Sequence, residues 1–155
     1  MEYTIEQATD DDWPAILKVL KSANMHHIPS KEMPELDLSL CFVARAGGDV
    51  VGIGGYKMLS ATQGKTTLLA VDPNYRHMGI GEALQLKRME KMMALGAKKI
   101  ITNADRPEAI AWYKRHFGYK EVGTLKKFHE FGLPDVDHWT TLELDIGEWR
   151  EMHGA

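Results

Sequence analysis

From residue 65 to residue 103 the chain passes through an apolar strand-like run (KTTLLAV), a loop with two glycines and a basic pair (DPNYRHMGIG), helix formers over 81–95, and a second strand-like run (KKIITN). A strand, a helix and a second strand in that order share a sheet through a crossover, which makes the two strands parallel. The helix then begins at the carboxyl end of the first strand, where such sheets take their ligands. Its apolar positions are read as Ala83, Leu86, Met89 and Met93, and Gly96 stands where a left-handed C-terminal cap is expected.

The flanking sequence supplies the remaining order. EYTIEQA (2–8) alternates as a strand, and behind Asp10, Asp11 and Asp12 the residues Trp13, Ile16, Leu17 and Leu20 fall at helical spacing, with Pro14 near the start. Segment 22–37, with two prolines and adjacent histidines, reads as a loop with room for one short helix. LCFVARAGGDVVGIGGYKML (40–59) is two strands joined at a Gly-Gly-Asp turn. PEAIAWYKRHF (107–117) sets Ala109, Trp112, Tyr113, His116 and Phe117 on one helical face. YKEVGTLKKFHEF (119–131) and DHWTTLELDI (137–146) close the chain as strands. No repeat, low-complexity tract or linker interrupts the pattern, so residues 1–155 read as a single domain of mixed α/β (α+β) class.

Composition excludes several partners. At 155 residues with 44% hydrophobic content the chain can bury a core, and a net charge of −3 offers no general field for nucleic acid. The basic cluster LKRMEKM, interleaved with Glu82 and Glu90, and the pair Lys126 and Lys127 read as solvated faces. No apolar run reaches the roughly 18 residues of a membrane span, and the acidic N-terminus is unlike a secretory signal. A cytoplasmic protein that binds neither membrane nor nucleic acid is expected. The lone Cys41 permits no internal disulfide and reads as a small buried strand residue rather than a nucleophile. His26 and His27 are adjacent and would point apart on an extended loop, and no HExxH motif occurs, so no metal is expected.

The glycine loop is the feature left to explain. The first turn of a helix carries N–H groups without intrahelical partners, and the helix dipole adds about half a positive charge there. Gly79 and Gly81 let a bulky anion approach the backbone, and Arg76 and His77 add side-chain charge, an arrangement that suits a diphosphate. By spacing alone the same glycines serve equally well as a plain tight turn beside a solvated arginine. A dinucleotide fingerprint would need a third glycine where Leu84 stands, and the GKT at 64–66 precedes a strand rather than a helix, which removes the nucleoside-triphosphate loop.

AVDPNYRHMGIGEAL resembles motif A of the GNAT superfamily of acyl-CoA-dependent N-acyltransferases, whose signature [QR]xxGx[GA] is met here by Arg76, His77, Met78, Gly79, Ile80 and Gly81. PEAIAWYKRHFGYKEVG resembles the later family segment, in which an alanine-rich helix carries a tyrosine and ends in Gly-aromatic, and the element order matches over essentially the whole chain. The resemblance implies a central mixed, mostly antiparallel sheet flanked by helices, with acetyl-CoA as co-substrate. It gives the coenzyme diphosphate to the backbone from His77 to Glu82, and the pantetheine amides to the main chain of Leu69, Ala70 and Val71. Two departures stand out. Arg106 occupies a position where many members have asparagine, so that coenzyme contact is either lost or remade by Arg106 or Asn103, and Tyr113 precedes Gly118 by one residue more than usual.

On pattern alone Tyr113 is a core residue of an amphipathic helix. The resemblance makes it the acid that protonates the departing thiolate, whose conjugate acid titrates near about 8.5. The acceptor is a primary amine or a peptide N-terminus; an alkylammonium of pKa about 10.4 is neutral to only about one part in 2,500 at pH 7, worth about 4.6 kcal/mol unless a base removes its proton. The position where some members carry a strand-five glutamate is Ile101, and the fourth strand offers no carboxylate. The acceptor side is therefore assigned to the loops, through His26, His27 and His138, with His129, Glu130, Asp135 and Asp137 close to the last of these in sequence. The activity implied is N-acetyl transfer by direct attack, against a non-catalytic acyl-CoA sensor. The strand-rich C-terminal third is compatible with a homodimer.

Overall fold

The structure, a computed structural model, describes residues 2–22, 37–126 and 138–153. The elements in chain order are β1 (Thr4–Gln7), α1 (Trp13–Ser22), β2 (Cys41–Ala46), β3 (Asp49–Met58), β4 (Gln63–Val71), α2 (Ile80–Ala94), β5 (Lys99–Ala104), α3 (Pro107–Phe117), β6 (Lys120–Lys126), β7 (His138–Asp145) and α4 (Ile146–His153). The strands form one sheet in the order β1-β2-β3-β4-β5-β7-β6. Pairing is parallel at β4/β5 and antiparallel at β1/β2, β2/β3, β5/β7 and β6/β7. This is the mixed, mostly antiparallel sheet with flanking helices that the resemblance implied. By contacts the chain divides into two compact units, residues 1–57 with 66–92, and residues 58–65 with 93–155.

In the first unit α2 lies against β3, because β3 offers glycine where the helix presses closest. A Cβ on Gly52 would stand 3.1 Å from Leu84 Cδ1, and one on Gly54 would stand 3.2 Å from Arg88 Cδ. Ile16, Leu20, Val43, Ile53, Ile80 and Leu84 fill the core. The entry to α1 is tied to β2 through Asp12. Its carboxylate accepts the Thr9 N–H at 2.9 Å and two hydrogen bonds of 2.8 Å from Arg45 Nη2. Burial by itself would raise the Asp12 carboxyl, but the Thr9 N–H, the Arg45 guanidinium and the Thr9 hydroxyl together outweigh it and hold the group below its ordinary value.

In the second unit β5 pairs with the first residues of β4, Gln63↔Lys99 to Lys65↔Ile101, and along its length with β7. Ile100, Leu142 and Leu144 are buried between the layers. Trp112, Tyr113, Phe117 and Tyr119 form an edge-to-face aromatic cluster, with Phe117 also against Trp149 of α4.

Three expectations need correction. The buried face of α2 is Ile80, Leu84, Gln85, Arg88, Met89 and Met92, while Leu86 is exposed. Two polar residues occupy the buried stripe, and that displaced the apolar period by which the face was read. For the same reason LKRMEKM is not wholly a solvated face, since Arg88 is inaccessible. Finally, the chain continues beyond β7 into α4, whose Ile146 N–H donates to the Lys98 carbonyl at 2.9 Å.

Candidate active site

In the first unit the end of β4 alternates: Leu68 and Ala70 are buried, Thr67 is exposed, and Leu69 and Val71 are half-buried. The strand leaves the sheet at Asp72, whose N–H donates to the Val51 carbonyl at 2.8 Å and whose carboxylate accepts the Asn74 N–H at 2.9 Å, starting the single 3₁₀ turn Pro73–Tyr75. Then come Arg76 and His77, both exposed, with His77 in the left-handed region at φ 66°. Gly79 is left-handed too, at φ 80°, and its carbonyl accepts the Ala83 N–H at 3.0 Å, so α2 begins at Ile80. Ile80 is buried and serves the core; Met78 and Gly81 are half-buried and Glu82 is exposed. Exposed main chain, an exposed guanidinium and the first turn of a long helix together fit a bulky anion. The left-handed geometry at Gly79 is the specific reason for a glycine there.

Tyr113 belongs to the second unit, buried in α3 with its ring edge-on to Trp112 at 4.9 Å and to Tyr119 at 5.1 Å. The helix runs unbroken from Pro107 to Phe117 and is closed by left-handed Gly118, so the additional residue between Tyr113 and Gly118 is a helical one. Arg106 is the half-buried residue that caps α3, its carbonyl accepting the Ile110 N–H at 3.0 Å. Asn103, the alternative coenzyme contact, accepts the Thr141 hydroxyl at 2.7 Å through its amide oxygen. His138 opens β7, exposed and opposite Lys126 of β6. His26, His27, His129, Glu130, Asp135 and Asp137 lie outside the described residues.

Two residues near these segments escaped the sequence reading. The Tyr3 hydroxyl stands 3.6 Å from where a Cβ of Gly79 would be, and nothing local in the sequence joins residues so far apart. Arg88 sits beneath β3 and β4, hidden inside what reads as an ordinary basic cluster.

Comparison with known proteins bears on the whole. The model of the acetyltransferase (GNAT) family matches residues 5–119. The chain belongs to the GNAT acetyltransferase family. Among solved structures, Ard1 from Thermoplasma volcanium is similar with a TM-score of 0.77 at 21% identity, over 94% of this chain and 98% of that one. The ribosomal-protein-S18-alanine N-acetyltransferase of Escherichia coli is similar with a TM-score of 0.74 at 20% identity, over 94% of each chain. N-acetylglutamate synthase from Neisseria gonorrhoeae, solved with coenzyme A and N-acetyl-glutamate, is similar with a TM-score of 0.71 at 20% identity, over 94% of this chain and 35% of that one. These likenesses show the GNAT fold, and family membership makes the chain an acetyl-CoA-dependent acetyltransferase. Among the described residues no group of three or more His, Cys, Asp or Glu is placed to hold a metal, and no helix is long and apolar enough to cross a membrane.

Proposed function

We propose that residues 1–155 act as one N-acetyltransferase domain, moving the acetyl group of acetyl-CoA to a primary amine by direct attack. The observation that carries this reading is the Arg76–Gly81 loop, with left-handed Gly79 at the start of α2 and Arg76 exposed beside it. In this reading the backbone from His77 to Glu82 takes the diphosphate. Leu69, Ala70 and Val71 bond the pantetheine as a neighbouring strand would, and Arg106 adds a contact from the cap of α3. The amine nitrogen attacks the thioester carbonyl carbon, the carbonyl oxygen takes up negative charge, and main-chain N–H groups of β4 are its donors. Collapse breaks the C–S bond. Tyr113 gives its proton to the sulfur, and the proton shed by the amine leaves through a loop group or water and restores the phenol.

Ile101 stands where some members of the family carry a glutamate, which supports seeking the base elsewhere, with His26, His27 and, at the start of β7, His138 as candidates. A cytoplasmic location is part of the same proposal. The exposed Val122 and Leu125 on edge strand β6 support a homodimer. A thiol-release screen with acetyl-CoA against amino acids, polyamines, aminosugars and peptides with free N-termini tests the proposal. Turnover with one amine class is expected. Tight acetyl-CoA binding with no turnover in any class would instead make the domain an acyl-CoA sensor.

A further inference from the structure

Arg88 has no place in the reaction described so far, yet among the described residues it is the largest fully buried side chain, 0% exposed between α2 and the sheet. A buried guanidinium is costly unless its donors are met. Here Nη1 donates to the Gly55 carbonyl of β3 at 3.1 Å and to the Leu68 carbonyl of β4 at 2.9 Å, while Nη2 donates to Gln85 one turn earlier on α2. Glycine at 54 clears the route, since a Cβ there would stand 3.2 Å from Arg88 Cδ and 3.5 Å from its Nε. Holding the helix to the sheet does not require a cation, because apolar side chains of similar volume commonly replace buried charged groups at no loss of stability.

The orientation of one peptide gives the cation a use. Nη1 bridges carbonyls on β3 and β4, so the Leu68 carbonyl faces β3. In a planar trans peptide the N–H points opposite the C=O, which turns the Leu69 N–H away from β3. A charged donor on the carbonyl also polarises the peptide and makes its N–H a stronger donor. Leu69 is the first of the three residues given to the coenzyme. We propose that Arg88 is a positioning residue for acetyl transfer: its guanidinium, through the Leu68–Leu69 peptide, aims and strengthens the Leu69 N–H as a donor to the acetyl carbonyl. The inference rests on the reading of Leu69–Val71 as the coenzyme strand.

The test needs no acceptor. Acetyl-CoA labelled with ¹³C at the thioester carbonyl is bound to the wild type, to Arg88→Lys, and to the double variant Gln85→Leu/Arg88→Leu, which keeps the interior filled. Isotope-edited infrared spectra read the bound C=O stretch, calorimetry reads Kd, and thermal melting reports the fold. In the wild type the stretch should move below its free-solution frequency. At least half of that displacement should vanish in the double variant while Kd stays within about threefold, and Arg88→Lys should retain most of it. An equal displacement in all three proteins overturns the inference. So does an undisplaced carbonyl in the bound wild type, which decides the matter even if the double variant does not fold. No binding of acetyl-CoA by the wild type would overturn the reading of the coenzyme strand itself, and the inference with it.

Discussion

At the scale of single residues, the strongest constraint on the loop is Gly79 at φ 80°, a conformation that costs a residue with a Cβ about 1–2 kcal/mol. Gly79→Val should therefore lower both stability and acetyl-CoA affinity, the latter at least about tenfold; unchanged affinity by calorimetry in a folded variant would remove the loop from the coenzyme site. Tyr113→Phe keeps a ring in the aromatic cluster and loses only the hydroxyl, so the acetyl-transfer rate should fall by about ten- to a thousandfold with coenzyme affinity nearly unchanged. A variant that turns over like the wild type, with chemistry limiting, would return Tyr113 to packing alone. Burial, joined by the nearby Asp37 carboxylate, raises the Cys41 thiol from 9.0 to about 11 against the opposing pull of Arg88. The unfolded chain thus loses that proton first, and the stability carried by the neutral buried thiol is whole below pH 9.0 and is lost as pH rises toward about 11. A disulfide reagent should accordingly leave Cys41 unmodified at pH 8 until denaturant is added. Asp12 has the opposite sign: its depressed carboxyl contributes stability above the ordinary carboxylate range that is lost as pH falls through the folded-state value.

Among the elements, those with a clean period and a terminal signal were legible. The helix foreseen over 107–117 coincides with α3, and the Gly-Gly-Asp turn with the β2–β3 hairpin, whose connecting residues are Gly47 and Gly48. The face of α2 was not legible, because a polar pair at Gln85 and Arg88 lies buried among Ile80, Leu84 and Met92. Burial of a charge beside backbone carbonyls depends on what the sheet presents opposite, which no periodicity within the helix encodes. The corrected face makes a direct prediction. Leu84→Ala should cost about 2–4 kcal/mol in denaturant unfolding, and Leu86→Ala no more than about 0.5 kcal/mol; similar losses at both would reject the assignment. α4 was missed for a related reason, since IGEWREMH is too short and too polar to announce a helix and its first turn is anchored by Lys98, far away in sequence.

For the molecule as a whole, the strand–helix–strand unit set the parallel β4/β5 pair and the motif set the family, and both were readable because each is local in sequence. The acceptor side was readable only as a gap, the missing carboxylates at Ile101 and along β4. If a histidine supplies the base, kcat/KM for the amine should show an ascending limb near neutral pH that disappears in the alanine variant of His26, His27 or His138. A limb that follows the pKa of the amine itself in all three variants would mean that the neutral amine is drawn from solution. The central claim, that the loop before α2 grips the coenzyme diphosphate, is tested most directly by calorimetric titration of acetyl-CoA against acetyl-pantetheine, which keeps the thioester and lacks the diphosphate. Binding of acetyl-CoA tighter by at least about a hundredfold is the predicted result, and equal affinity for the two would contradict it.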